Sequence, residues 1–97
     1  MNGELQQRVK RILIQEDVIV NTVVKAEALD ISSKGMYIYT QSSFVVGTIC
    51  EISFKIGNDI IKTMVQVQHA QPNVGFGVKF IDLSETDSLK VRKYIGE

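Results

Sequence analysis

The sequence has few of the residues from which metal centres and disulfides are built. Its 97 residues include one cysteine, Cys50, and one histidine, His69, which are too few for an intrachain disulfide or a zinc site of Cys and His ligands. No apolar run approaches the roughly 18 residues that span a membrane. The first residues, MNGELQQRVKR, lack the apolar centre of a signal peptide. We therefore predict a cytoplasmic protein without a metal, a cofactor or a membrane span.

The sequence also has no excess of positive or negative charge. Eleven Lys and Arg residues balance eleven Asp and Glu residues, so the formal net charge is zero. Such a balance gives no overall attraction to DNA, to RNA or to an anionic membrane. An anionic ligand would have to be held by a local cluster, and the densest positive cluster is Arg8, Lys10 and Arg11.

Alternating apolar residues predict strands over most of the chain. The clearest stretch is residues 50–56, where Cys50, Ile52, Phe54 and Ile56 alternate with polar residues. Residues 11–29 are rich in β-branched side chains and also indicate a half-buried strand, because five apolar residues share one parity: Val18, Val20, Val24, Ala26 and Ala28. Short strands at regular spacing are typical of an antiparallel barrel. We predict an all-β domain of about six strands over residues 11–82, preceded by a flexible arm over residues 1–10.

Near the end of the chain, the spacing of apolar residues changes from the alternation of a strand to the pattern of a helix. Ser84 is a suitable N-cap for a helix over residues 84–95, and Gly96 is suited to end it. Val91, Tyr94 and Ile95 fall on roughly one face of that helix. The helix is therefore expected to pack across one opening of the barrel.

The stretch DISSKG, residues 30–35, interrupts the strands and has two interpretations. Asp and Ser side chains bond to nearby backbone N–H groups and Gly tolerates unusual backbone angles, so the stretch can be only a turn. It can also be half of a ligand site, because the Asp30 carboxylate can accept hydrogen bonds from a guanine. Ser32 can bond a base or a phosphate, and Gly35 allows a ligand close to the backbone.

In this context the sequence resembles the PilZ domains, the bacterial receptor modules for cyclic di-GMP. The family pattern is RxxxR before the first strand and (D/N)xSxxG further on, and Asp30, Ser32 and Gly35 match the second motif in full. The segments SSFVVGTICEISFKI and GFGVKFIDLSETDSLKVRKYI resemble later family blocks. The resemblance implies a PilZ-type antiparallel β-barrel with a C-terminal helix.

The first motif departs from the family pattern. Arg11 matches the second arginine, but Gln7 stands where the first arginine is expected, and Arg8 is one residue too close. A hydrogen bond to a charged group contributes about 1.5–3 kcal/mol, so a missing arginine would weaken ligand binding roughly 10- to 150-fold. Gln7 and Lys10 are secondary candidates, since either can reach a phosphate or a base.

The resemblance implies a non-catalytic receptor that binds cyclic di-GMP through Arg8, Arg11, Asp30, Ser32 and Gly35. The basic arm would fold over the ligand, and the changed surface would be recognised by an effector protein, in processes such as motility. The alternative is a degenerate PilZ domain that has lost the nucleotide and acts only by protein contact. The missing arginine favours this alternative, and the intact second motif opposes it.

Two other function classes are less consistent with the residues. A hydrolytic enzyme needs a nucleophile beside a base, whereas His69 is expected at a strand edge or rim and Cys50 in the core. An oligonucleotide-binding barrel needs aromatic residues in a basic groove. Tyr37 and Tyr39 supply the aromatic rings, but Lys34 is the only cation near them.

Overall fold

A computed structural model describes residues 9–97. The chain forms six strands followed by one helix: β1 (Arg11–Val20), β2 (Val24–Ser32), β3 (Gly35–Tyr39), β4 (Ile49–Ile56), β5 (Asp59–Gln71), β6 (Gly75–Phe80) and α1 (Glu85–Ile95). Of the predicted arm, only Val9 and Lys10 lie within the described residues. The helix predicted for residues 84–95 spans Glu85–Ile95.

The strands form a closed antiparallel barrel in the order β1-β2-β3-β6-β5-β4. Closure comes from β1 and β4, whose residues Val18 and Phe54 are paired. The predicted fold class, an all-β barrel of about six strands with a C-terminal helix, is confirmed.

One detail of the strand prediction was wrong. Residues 11–29, interpreted as one strand, contain a tight turn that separates β1 from β2. Asn21 and Thr22 adopt φ angles of 50° and 66° there, the left-handed conformation of a hairpin turn. The turn contains no glycine, and the residues on both sides of it keep the same apolar parity. The sequence pattern therefore had no visible break at this point.

The barrel interior is filled by aliphatic side chains and a few larger ones. Cys50 is among them, as predicted, and burial raises the pKa of its thiol. Each strand contributes inward-facing residues, and Val91 and Ile95 of α1 complete the core. The largest fully buried side chains are Phe76, Ile31, Met36, Ile38, Ile52 and Ile61.

Helix α1 packs against β2 and β4 and is capped at both ends. The Ser84 hydroxyl accepts the Asp87 N–H at 3.1 Å, and Gly96 ends the helix with a φ of 86°. Just before the helix, the Asp82 carboxylate accepts hydrogen bonds from the Met64 N–H and the Thr63 hydroxyl, both at 2.8 Å. These two bonds lower the pKa of Asp82. Among residues 9–97, no helix has the length and apolar character needed to cross a membrane.

Candidate ligand-binding site

An irregularity in β2 turns Asp30 to the outside of the barrel. The register with β3 shifts between Ala28 and Asp30, so Leu29 is an extra residue in the ladder. As a result Ala28 and Ile31 both face the core, although they are three residues apart. In a regular strand Asp30 would share the inward parity of Ala28. The bulge therefore places a carboxylate on the outer surface.

Asp30 is held by two neighbouring strands. The Arg11 guanidinium, at the first residue of β1, forms an ion pair with Asp30 Oδ1 at 2.5 Å. The same oxygen accepts the backbone N–H of Tyr37 in β3 at 3.0 Å. The Arg11 side chain is 49% exposed and that of Asp30 is 20% exposed. Both side chains are thus oriented in advance while remaining accessible to solvent.

The DISSKG turn is stabilised from within by Ser32. Its buried hydroxyl oxygen accepts the backbone N–H groups of Lys34 at 3.1 Å and Gly35 at 3.2 Å. A side chain at Gly35 would overlap the Val78 carbonyl oxygen, because β3 and β6 approach closely there. Both residues therefore have a structural role in the turn that does not depend on a ligand.

A single row of paired residues crosses the outer face from β2 to β5. Asp30 pairs with Tyr37, Tyr37 with Gly77, and Gly77 with His69. Because Gly77 has no side chain, the rings of Tyr37 and His69 meet across it, with centroids 6.2 Å apart and planes inclined by 27°. The Tyr37 hydroxyl donates a hydrogen bond of 2.5 Å to Gln71 Oε1, which fixes that ring further.

His69 faces outward because of a second bulge. The register of β5 with β6 shifts between Val67 and His69, so Gln68 is the extra residue. In a regular strand His69 would face the core with Val67, as its parity in the sequence suggests. Instead it is exposed on the outer face. His69 lies two residues before the end of β5, beyond the part of β5 that pairs with β4, which is consistent with the edge or rim position expected from the sequence.

These residues surround one surface pocket of about 300 Å³. Three cations line it and face a single carboxylate, so the pocket is locally positive although the chain is neutral overall. Its floor includes backbone at Gly35 and Gly77. The polar and aromatic lining residues are Arg11, Asp30, Lys34, Tyr37, His69 and Lys79.

The structure brings part of the predicted site together. Arg11, Asp30 and Gly35 line the pocket, whereas Ser32 is buried beside it and holds the turn. Lys10 points elsewhere, with its ammonium group 3.4 Å from the Gly96 carbonyl oxygen at the end of α1. Gln7 and Arg8 lie outside the described residues.

Lys79, Tyr37 and His69 were not predicted as site residues. In the sequence Tyr37 shares the parity of Gly35, and Lys79 shares the parity of Gly77. This shared parity was the available signal that their side chains lie on the same face of the sheet as those glycines. His69 could not be placed by parity, because the bulge at Gln68 reverses it. Within the described part of the chain, no group of three or more His, Cys, Asp or Glu side chains could hold a metal ion.

A comparison with models of protein families identifies the family to which this barrel belongs. A family model described as the PilZ domain matches residues 5–97. The chain belongs to the PilZ domain family. No curated protein matches the sequence significantly.

Solved structures with this PilZ fold include two longer proteins. The Bacillus subtilis inhibitor of motility, MotI/DgrA, superposes with a TM-score of 0.80 at 14% identity, over 93% of this chain and 49% of its own. The Borreliella burgdorferi PlzA protein, solved in complex with c-di-GMP, superposes with a TM-score of 0.65 at 15% identity, over 96% of this chain and 42% of its own. This chain thus spans about half or less of either protein.

A third neighbour is similar in length. The uncharacterized Legionella protein Lpg0364 superposes with a TM-score of 0.64 at 17% identity, over 89% of each chain. At these identities the three structures support the fold of the chain and not its ligand.

Proposed function

We propose that this PilZ domain is a non-catalytic receptor that binds cyclic di-GMP in the pocket around Arg11 and Asp30. The observation that carries the proposal is the pairing of these two side chains at the rim of a locally positive pocket. PlzA, a structural neighbour, was solved with c-di-GMP. The chain also belongs to the PilZ family, whose members are receptors for cyclic di-GMP, and this supports the same proposal.

Asp30 is suited to bind a guanine edge. Its two described hydrogen bonds, from Arg11 and from the Tyr37 N–H, both engage Oδ1. Oδ2 can therefore accept the N1–H or the N2–H₂ group of a guanine without loss of either contact. The ion pair also keeps the carboxylate oriented, so less conformational entropy is lost when the base binds.

Phosphates would be bound by the cations of the pocket. Arg11 offers further guanidinium N–H groups, because only Nη1 is engaged with Asp30. Lys34 and Lys79 lie across the same pocket. Arg8, with Gln7 as a neutral neighbour, would add contacts from the arm. Ser32 and Gly35 would contribute by keeping the turn in shape.

The signal would pass to a protein partner. A bound ligand bridges the root of the arm and the outer face of the sheet, and the surface it changes is then available to an effector protein. The neighbour named as an inhibitor of motility makes motility control the first process in which to look for that effector.

The alternative function is protein contact without a nucleotide. Ser32 and Gly35 are both accounted for by the geometry of the turn, and Arg11 and Asp30 neutralise one another. The matching motif could therefore persist for structural reasons alone.

Calorimetric titration with cyclic di-GMP distinguishes the two functions. We expect binding by the wild type, a loss of about 10- to 150-fold in affinity for Arg11→Ala, and a gain for Gln7→Arg. Lys62→Ala is the matched control, since it removes an exposed cation of β5 outside the pocket and should bind like the wild type. An absence of heat at high micromolar ligand would support the protein-contact function.

A further inference from the structure

The Tyr37–His69 pair has geometry suited to a flat ligand group. Three ring atoms of His69 lie over the position where a Gly77 side chain would stand, so the imidazole lies across β6. Tyr37 is held from one side by its stack on His69 and from the other by its hydrogen bond to Gln71. His69 is exposed and Tyr37 is half-buried. Together the two rings form an aromatic surface on the outside of the barrel.

This surface lies beside the group that would bind the edge of a base. Asp30 and Tyr37 are cross-strand partners, and such pairs have Cβ atoms about 4.5–5.5 Å apart. The row therefore presents a carboxylate, then an aromatic ring, then a glycine whose side-chain position is covered by the second ring. A base needs an acceptor at its edge and a flat partner for its face, and this row offers both.

We propose that Tyr37 and His69 form a base-stacking platform and act as affinity-determining residues of the nucleotide site. The inference rests on the proposed function, because it concerns the same pocket. Stacking of a base on an aromatic side chain tolerates any base, so the platform would supply affinity while Asp30 supplies the preference for guanine. The phosphates would then lie toward the cations Arg11, Lys34 and Lys79.

A purely structural role makes a different prediction. An aromatic ring that covers a glycine in a neighbouring strand can stabilise a sheet without any ligand. In that case removal of the His69 ring would lower the melting temperature and leave ligand affinity unchanged.

The His69 ring protons can be followed directly by NMR, because His69 is the only histidine of the sequence. Addition of cyclic di-GMP to the wild type should move both imidazole C–H signals upfield, through the ring current of a stacked purine. Ribose 5-phosphate, which carries a phosphate but no base, should not cause this shift. Ligand binding detected by calorimetry without any upfield shift would overturn the proposal.

Variants of His69 give the second measurement. We expect His69→Ala to weaken cyclic di-GMP binding about 5- to 150-fold, and His69→Phe, which keeps a flat ring, to stay within about threefold of the wild type. Equal affinity of His69→Ala and the wild type would refute the platform and leave the receptor function intact. No binding by the wild type would refute both. If His69→Ala does not fold, the NMR titration of the wild type decides.

Discussion

Replacing Gly35 by alanine should destabilise the barrel, whereas the same change at Gly77 should leave its stability almost unchanged. The difference lies in what a new Cβ would meet. At Gly35 it would overlap the Val78 carbonyl oxygen and lie 2.9 Å from Lys79 Cα, and both obstacles are backbone. At Gly77 the three nearest atoms all belong to the ring of the exposed His69 side chain, which can rotate away.

The expected magnitudes follow from these contacts. Overpacking against a fixed neighbour costs about 1–3 kcal/mol, and the reduced entropy of the unfolded chain returns about 0.4–1 kcal/mol for a Gly to Ala change. Gly35→Ala should therefore lose about 1–2 kcal/mol, or roughly 5–15 °C in melting temperature for a domain of this size. At Gly77 the lost stack of His69 on Tyr37, about 0.5–1.5 kcal/mol, is nearly offset by that same entropy term.

Thermal unfolding followed by circular dichroism measures both variants. The double variant His69→Ala/Gly77→Ala is the control, because it removes the three nearest atoms that an alanine at position 77 would meet. Adding Gly77→Ala in that background should be neutral or slightly stabilising. The reasoning fails if Gly35→Ala melts with the wild type, or if Gly77→Ala is the less stable of the two.

Three further predictions concern stability and reactivity. Hydrogen bonds lower the pKa of Asp82 in the folded state, so its contribution to stability is present above the unfolded pKa near 3.8 and is lost as the pH falls through the folded pKa. Asp82→Asn should therefore reduce the fall in melting temperature between pH 5 and pH 2. An unchanged dependence of melting temperature on pH would contradict this prediction. Ser84→Ala removes the N-cap of α1 and should cost about 0.5–2 kcal/mol in urea unfolding, with Thr86→Ala as a control. The buried Cys50 thiol, whose pKa is raised by burial, should react slowly with a thiol reagent in the native protein and fast in denaturant; equal rates would show that it is accessible.

Much of the fold could be predicted because the relevant signals are local. Alternation in residues 50–56 predicts β4, and the N-cap Ser84 with the terminal Gly96 predicts the helix. The hairpin at Asn21 and Thr22 could not be found, since neither residue is a glycine and the flanking valines keep one parity. When residues other than glycine adopt the left-handed backbone conformation, the pattern of apolar residues does not reveal the turn.

The candidate site was predictable only where a motif marked it. Arg11 and Asp30 were found from the spacing of the family motifs, and the structure pairs them. Lys79 comes from β6, far away in the sequence, and reaches the pocket only through the pairing of β3 with β6. Pairing between strands that are not consecutive in the chain depends on the strand order of the whole barrel, which no short stretch of sequence encodes.

Two of the positions where the strand register shifts, Leu29 in β2 and Gln68 in β5, each precede a residue that lines the candidate pocket. Without the extra residue Leu29, Asp30 would face the core, and without Gln68 so would His69. A carboxylate and an imidazole inside an aliphatic barrel would each need a buried partner, at considerable cost. Bulges at these positions avoid that cost and turn both polar groups to one face of the sheet. In this barrel the two bulges therefore explain why Asp30 and His69, which fall on apolar parities in the sequence, lie on the outer face beside the candidate pocket.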